Sequence, residues 1–279
     1  MRLTLAFAAV LVAGCSDTAR PSDRAVSGRV AEATERLAQT EAGRRVQAAI
    51  DAHGGLEAWY ANGPLRWRYA YVRLDSTGAP DGPALDTRQL VDPWASRAVH
   101  TLPDSSAQFG WTGAEAWTLP AGAEVGTNAR FWSLTPYYFV SMPFVLADPG
   151  VRLATAPADT VGGRAVDVVR VTFEPGTGDA PDDYYDLLLD PATDRVRGVR
   201  YVVSYAGFNP DGGHTPETTM LYDGEQSVGG VVLQQGFRSF DSATGRPKAR
   251  GTLTELAAAP GTPDAAFDQP DGAAVQREL

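Results

Sequence analysis

After Pro64 the chain becomes a succession of short segments in which apolar and polar residues alternate, and this period of two constrains its fold most strongly. In residues 65–74 the aromatic side chains of Trp67, Tyr69 and Tyr71 fall on one side, as in a β-strand with one buried face. Similar segments follow at 86–92, 95–102, 106–111, 115–119, 164–173, 184–190, 196–205, 217–223, 231–240 and 249–257. The pattern therefore predicts about eleven strands.

Residues that favour tight turns separate most of these segments, for example Thr112-Gly113, Asp223-Gly224 and Thr244-Gly245. Short connections join antiparallel neighbours, because a parallel neighbour needs a crossover of a dozen residues or more. We therefore predict a mainly β (α+β) fold built on an antiparallel meander.

Two regions depart from the period of two. Apolar residues from about residue 25 to residue 52 recur every three or four positions, which predicts an amphipathic helix, with Gly43 as a break. Residues 128–150 combine aromatic side chains with prolines and fit neither period. We expect this region to form a short helix or an ordered insertion that packs against the sheet.

The first residues have the layout of a secretory signal, with Arg2 followed by the apolar run from Leu3 to Ala13. About eleven residues at roughly 1.5 Å each cannot cross some 30 Å of hydrocarbon, so the run is too short for a transmembrane helix. Residues 1–14 are therefore predicted to be a signal peptide.

The run ends in Leu11-Val12-Ala13-Gly14-Cys15, which resembles the lipobox of bacterial lipoproteins, where the cysteine is lipidated and becomes the new N-terminus. A chance cysteine beside an ordinary cleavage site is the alternative. Cys15 is the only cysteine, so the chain forms no internal disulfide. Ser16 follows Cys15 where an aspartate would mark inner-membrane retention, which favours the outer membrane.

Composition limits the number of domains and the kinds of partner that the chain can have. Residues 15–24 are polar and suit a lipidated tether, and residues 25–279 contain no obvious linker, which predicts a single domain. The formal net charge of -10 would repel phosphate backbones, so nucleic acid is not an expected partner. Nothing in the sequence identifies a protein partner.

Three motifs, in the order in which they occur, resemble the LolA/LolB-like lipoprotein-carrier superfamily. They are residues 53–59 (HGGLEAW), 109–117 (FGWTGAEAW) and 185–190 (YDLLLD). Residues 136–150 further resemble a branch of bacterial envelope lipoproteins within that superfamily. The resemblance implies a curved antiparallel half-barrel of about eleven strands with a helical plug and an apolar cavity that takes up acyl chains.

If such a cavity exists, we expect a lipid or other apolar small molecule to contact aromatic residues of the first strand and of residues 128–150. The candidates are Trp67, Tyr69, Trp132, Tyr138, Phe139, Met142 and Phe144. The same side chains would equally well fill a solid core.

An enzyme is the least favoured of three functional classes, after a ligand-binding module and a structural or assembly lipoprotein. The three histidines, His53, His100 and His214, are not at metal-ligand spacing, and no nucleophile motif occurs. Asp182-Asp183 with Asp186 could form a glycosidase-type pair, but a solvated acidic turn is preferred. We predict no catalytic residue, no metal and no cofactor.

Membrane anchoring is directly testable at Cys15. Cys15→Ser is expected to release the protein from membranes or to block its maturation, because stable anchoring requires acyl chains on that thiol. Membrane fractionation after a high-salt wash measures the effect. Unchanged membrane association of the variant would contradict the prediction.

Overall fold

The computed structural model describes residues 18–82, 85–177, 180 and 182–276, and all thirteen of its strands belong to one sheet. The predicted signal peptide and Cys15 lie outside the described residues. The strands are β1 (Leu65–Arg73), β2 (Leu85–Asp92), β3 (Arg97–Thr101), β4 (Gln108–Trp111), β5 (Ala116–Leu119), β6 (Val151–Val161), β7 (Arg164–Phe173), β8 (Tyr185–Leu189), β9 (Val196–Tyr201), β10 (Thr218–Val228), β11 (Val231–Asp241), β12 (Pro247–Ala258) and β13 (Ala274–Gln276).

Five α-helices accompany this sheet in the described part of the chain. They are α1 (Asp23–Ala38), α2 (Glu41–Ala52), α3 (Gly55–Ala61), α4 (Ala129–Trp132) and α5 (Thr135–Val140), and short 3-10 helices lie at Phe144–Ala147 and Asp264–Phe267. None of the helices described is both long and apolar enough to span a bilayer.

The strand order is β13-β5-β4-β3-β2-β1-β12-β11-β10-β9-β8-β7-β6, and the paired neighbours are antiparallel. Two meanders, β1–β5 and β6–β12, are joined where β1 pairs with β12. The sheet is open, with β13 and β6 at its edges. The predicted curved antiparallel half-barrel with an N-terminal helix and a helical plug is confirmed.

All eleven predicted strands are present, and β6 and β13 are additional. β6 is an edge strand whose side chains are mostly exposed, so no alternation of apolar residues marks it in the sequence. Pro157 lies at a bulge between Ala156 and Asp159, where an edge strand tolerates a missing N–H donor. β13 has three residues, too few to show a period.

The predicted N-terminal helix is divided, but the division precedes Gly43. Thr40 is the N-cap of α2, and its side chain accepts a hydrogen bond from the Gly43 N–H at 2.9 Å. A Cβ on Gly43 would lie 2.1 Å from the carbonyl oxygen of Leu37. Gly43 is therefore required for the close approach of the two helices, while Thr40 begins the second one.

Residues 19 and 20 lie within the predicted tether, residues 15–24, but they form hydrogen bonds with the domain. The Ala19 N–H donates to the Thr262 carbonyl oxygen at 3.0 Å, and Arg20 Nε donates to the Ala61 carbonyl oxygen at 2.9 Å. These hydrogen bonds fix residues that the polar, proline-containing sequence suggested were free. The described end of the predicted tether therefore lies against the domain.

The two faces of the sheet differ in chemistry. The inner face, which carries Leu65, Trp67 and Tyr69 of β1, packs with the helices into one apolar core. The outer face carries cross-strand arginine–carboxylate pairs. They include Arg68–Asp86, Arg170–Asp186, Arg200–Asp159 and Arg238–Asp223. On β1, for example, alternation directs the rings of Trp67 and Tyr69 inward and the charge of Arg68 outward.

Residues 128–150, called the insertion below, form α4, α5 and the 3-10 helix Phe144–Ala147 on the inner face. Tyr222 Oη and Gln234 Nε2 both donate to the carbonyl oxygen of Phe139, at 2.8 and 2.9 Å. A buried backbone carbonyl requires such partners. Side chains of β10 and β11 therefore fix the position of α5.

A chain of buried hydrogen bonds holds the insertion at a second point. His100 Nε2 donates to the Ser133 carbonyl oxygen at 2.9 Å, and Thr87 Oγ1 donates to His100 Nδ1 at 3.4 Å. Gln89 Nε2 donates to Thr87 Oγ1 at 3.0 Å, and Trp67 Nε1 donates to Gln89 Oε1 at 2.9 Å. This order of donors requires a neutral imidazole, and burial lowers the pKa of His100 to about 4.

The neutral state of His100 makes folding sensitive to acid. Its pKa in the folded protein lies below the ordinary value of 6.5, so the unfolded state binds more protons between those pH values. Stability should therefore fall as the pH drops from 6.5 towards 4, by up to about 1.4 kcal/mol per pH unit.

His100→Gln keeps an amide donor near the Ser133 carbonyl and removes the titrating ring. Urea unfolding across this pH range is expected to show a steeper loss of stability for the wild type than for the variant. Parallel pH profiles would contradict the proposed role of the neutral ring.

Candidate functional site

A cavity of about 720 Å³ lies between the inner face of the sheet and the insertion. Twelve of its lining residues are aromatic, and they come from both meanders, from the insertion and from the loop that follows β9. Ligand pockets in proteins typically enclose about 300–1,000 Å³ and are mostly apolar. In size and lining, this cavity resembles a ligand pocket.

The sheet supplies one wall of the cavity from alternate strand positions. Tyr69 and Tyr71 face it from β1, and Tyr185 and Tyr201 face it from β8 and β9. Tyr185 and Tyr201 are paired across the two strands, with their ring centroids 5.8 Å apart. The period of two therefore gathers tyrosines that are far apart in sequence onto one surface.

The insertion supplies the opposite wall. The ring of Trp132 lies 4.8 Å from that of Tyr71, and the ring of Phe139 lies 5.0 Å from that of Tyr201. Tyr138 approaches β8 in the same way. Through these ring contacts the insertion packs against the strands that line the cavity.

The tyrosine hydroxyls give the apolar wall a few polar points. Within the described residues, the hydroxyls of Tyr69 and Tyr138 are buried and have no hydrogen-bond partner. Burial raises the pKa of both phenols, so they stay neutral at physiological pH. The wall can therefore donate hydrogen bonds, but it carries no phenolate charge.

Charged side chains lie at the border of the cavity. Arg73 and Lys248 line it from the neighbouring strands β1 and β12. Lys248 Nζ donates to Thr218 Oγ1 at 2.6 Å, and partial burial lowers the pKa of this amine. Asp183 also lines the cavity, but its carboxylate accepts hydrogen bonds from the backbone N–H and the hydroxyl of Ser204.

The candidate residues from the sequence divide between this cavity and the closed core. Tyr69, Trp132, Tyr138 and Phe139 line the cavity. Trp67 is buried and bonded to Gln89, Phe144 is buried against Trp59 with ring centroids 4.6 Å apart, and Met142 borders a second cavity. Contact between any of these residues and a ligand remains a prediction.

Several lining residues were not among the candidates. Tyr185 and Tyr201 occupy alternating positions of predicted strands, so their inward direction could have been inferred once the face of β8 and β9 was known. Phe131, Tyr205 and Phe208 meet through ring contacts between the insertion and the loop after β9. No local sequence signal indicates that long-range contact.

A second cavity, of about 620 Å³, lies near the end of α2 and is more polar. Asp190, Arg197 and Glu225 line it, and Arg197 is paired with Asp190. His53 borders it as the C-cap residue of α2, and its Nδ1 donates to the Ala49 carbonyl oxygen at 2.8 Å. Burial lowers the pKa of His53, which keeps the ring neutral in a structural position.

The other residues weighed as catalytic candidates have separate surroundings. His100 is held in the buried chain described above, and His214 is exposed in a loop. Asp186 is buried and does not belong to a solvated turn as predicted. On the outer face of the sheet, Arg170 Nε lies 2.6 Å from its carboxylate oxygen. Asp183 is also buried and lines the cavity. Among the described residues, no three His, Cys, Asp or Glu side chains are grouped as metal ligands.

Solved structures resemble this chain in fold at low sequence identity. A LolA superfamily protein from Nitrosomonas europaea aligns with a TM-score of 0.55 and 10% identity, over 82% of this chain and 98% of that one. A DUF1329 family protein from Desulfovibrio piger aligns with a TM-score of 0.50 and 11% identity, over 88% and 97%. No protein-family model and no curated protein sequence matches the chain. The chain has a LolA-like fold.

Two phenylalanines of the insertion test the difference between cavity wall and core. Phe144→Ala is expected to cost about 3–5 kcal/mol of unfolding free energy, as for other packed core phenylalanines, because this ring is fully buried against Trp59. Phe139→Ala should cost less, since one side of its ring borders open space and has fewer contacts to lose. Denaturant unfolding measures both variants; equal costs would contradict the assignment of Phe139 to a cavity wall.

Proposed function

We propose that this chain with a LolA-like fold is an envelope lipoprotein that binds a lipid or another apolar small molecule in the cavity between its sheet and the insertion. The observation that carries the proposal is an open, aromatic-lined space of about 720 Å³ between the sheet and the insertion, next to the apolar core. Two anchored points of the insertion, at Ser133 and Phe139, support the wall of that space.

The size of the hydrophobic effect favours an acyl chain or a ligand of similar character. Each buried methylene contributes about 0.8 kcal/mol, so ten of them would contribute roughly 8 kcal/mol before the cost of association. The aromatic walls offer mainly apolar contact, with tyrosine hydroxyls as isolated polar points. Recognition in the cavity would therefore depend chiefly on burial of apolar surface.

An assembly or structural role receives less support. A protein-binding surface of that kind would expose a contiguous apolar patch. Phe208 is the large apolar side chain found exposed in the described part of the chain, and it borders the cavity. An enzymatic role would require converging reactive groups, whereas the candidate histidines and carboxylates above have separate partners.

The first described residues and the cationic border of the cavity lie near opposite ends of β12. Ala19 contacts Thr262, just beyond the C-terminal end of β12, whereas Lys248 borders the cavity near the start of that strand. At about 3.3 Å per residue, the ten steps from Lys248 to Ala258 span roughly 30 Å. The cationic border of the cavity therefore lies away from the point at which the described chain begins.

Filling the cavity tests the proposed function. Leu85 lies on the inner face opposite Tyr71 and lines the cavity, so Leu85→Trp would occupy part of the space that a ligand needs. Titration with a fluorescent fatty acid is expected to show saturable binding by the wild type. We expect binding to be weaker by about fivefold or more for Leu85→Trp, since apolar contact supplies most of the affinity.

Leu90→Trp is the matched control, because Leu90 belongs to the same strand but lies on the outer face, away from the cavity lining. This variant should bind as the wild type does. Absence of fatty-acid binding by the wild type, or equal losses in the two variants, would refute the proposed function.

A further inference from the structure

Lys248 is the only lysine in the chain, since arginine supplies the rest of the 24 basic residues. It is also one of the residues that line the aromatic cavity. By contrast, Arg68, Arg170, Arg200 and Arg238 pair with carboxylates on the outer face. A compact ammonium group thus stands beside the apolar space.

A β-bulge accounts for the position of this side chain. Ser239 pairs with Ala249, whereas the next residue of β11, Phe240, pairs with Pro247. Lys248 is therefore an extra residue on β12, and a bulge of this kind redirects a side chain relative to the regular alternation. Its neighbour Ala249 faces the core, and Lys248 lines the cavity next to it.

Arg73 provides a second cation from the adjacent strand. It pairs with Ala249 across β1 and β12, and its side chain lines the same cavity. Among the residues that the structure describes, no carboxylate oxygen lies within ion-pair distance, 4.0 Å, of Lys248 Nζ or of the Arg73 guanidinium. The nearby carboxylate of Asp241 accepts hydrogen bonds from Thr244.

The solvent exposure of the lining residues differs between the charged end of the cavity and its inner wall. Arg73 is exposed and Lys248 is half-buried, whereas Met220 and Tyr69 are buried at the inner wall. A ligand with its charged end beside the two cations would therefore extend its apolar part towards Met220. Thr218 Oγ1, which already accepts a hydrogen bond from Lys248, is a further polar group at the charged end.

We propose that the cavity binds an amphiphile with an anionic head group, a carboxylate or a phosphate, and that Lys248 and Arg73 hold this head while the aromatic walls enclose the apolar chain. This inference rests on the proposed function and defines the chemical class of its ligand. Arginine and lysine bind carboxylates and phosphates through charge-assisted hydrogen bonds, which are roughly twice as strong as neutral ones. The head group therefore contributes selectivity beyond the apolar contact.

Three probes with the same twelve-carbon chain distinguish the contribution of the head group to affinity from that of the chain. They are dodecanoate, dodecyl phosphate and dodecanol. Each is titrated against a fluorescent fatty acid bound to the wild type, below the critical micelle concentrations of the two anions and below the solubility limit of dodecanol. We expect at least one anion to bind about tenfold more tightly than dodecanol, as for a gain of one charge-assisted contact. The tighter of the two anions distinguishes a carboxylate head from a phosphate head.

Lys248→Met should reduce this preference for anions while dodecanol still binds. Arg250→Met is the matched control, because Arg250 is an exposed residue of the same strand that does not line the cavity. Lys248→Arg should retain the preference. Equal affinities of the wild type for all three probes would overturn the inference about the head group but not the proposed function. An unchanged preference for anions in Lys248→Met would do the same. If the wild type bound none of the probes, the proposed function would be overturned as well.

The single lysine allows a second measurement that needs no variant. Labelling with 13C-lysine gives one side-chain signal, from Lys248. Dodecanoate or dodecyl phosphate is expected to shift this signal and to raise the pKa of the amine, which burial lowers in the free protein. An unchanged signal and pKa at saturation with both anions would overturn the assignment of Lys248 to the head group.

Discussion

The architecture of the cavity depends on the hydrogen bonds that hold the insertion to the sheet. The carbonyl oxygen of Phe139 accepts from Tyr222 and Gln234, and the carbonyl oxygen of Ser133 accepts from His100. Breaking any of these bonds would leave a buried polar group without a partner, at a cost of about 1–3 kcal/mol. The insertion is therefore fixed at a defined position over the sheet, and its aromatic rings form a wall rather than filling the space beneath them.

The strands follow from the sequence because a half-buried strand repeats every two residues, and all eleven alternating segments are strands in the structure. The resemblance to LolA-like carriers added what alternation cannot supply, namely the curvature and the plug. β6 was not predicted, because this edge strand buries few side chains on either face. Apolar and polar residues therefore do not alternate along it. Its Pro157 also argues against a regular strand.

The candidate site could be predicted only in part, because aromatic composition does not distinguish a wall from a core. Phe139 and Phe144 belong to the same insertion, yet Phe139 borders the cavity and Phe144 is stacked on Trp59. The difference arises from long-range hydrogen bonds that orient α5, and no local pattern encodes them. Lys248 was overlooked for a similar reason, since the bulge that places it in the cavity lining depends on the register between β11 and β12.

Two methionines provide the most direct test of the claim that the cavity takes an apolar ligand. Met220 lines the aromatic cavity, whereas Met142 borders the second, more polar one. In a chain without the signal peptide, labelled at the methionine methyl groups, saturation with dodecanoate is expected to shift the Met220 resonance and to leave that of Met142 in place. A shift of Met142 alone, or of neither methyl group, would contradict the account.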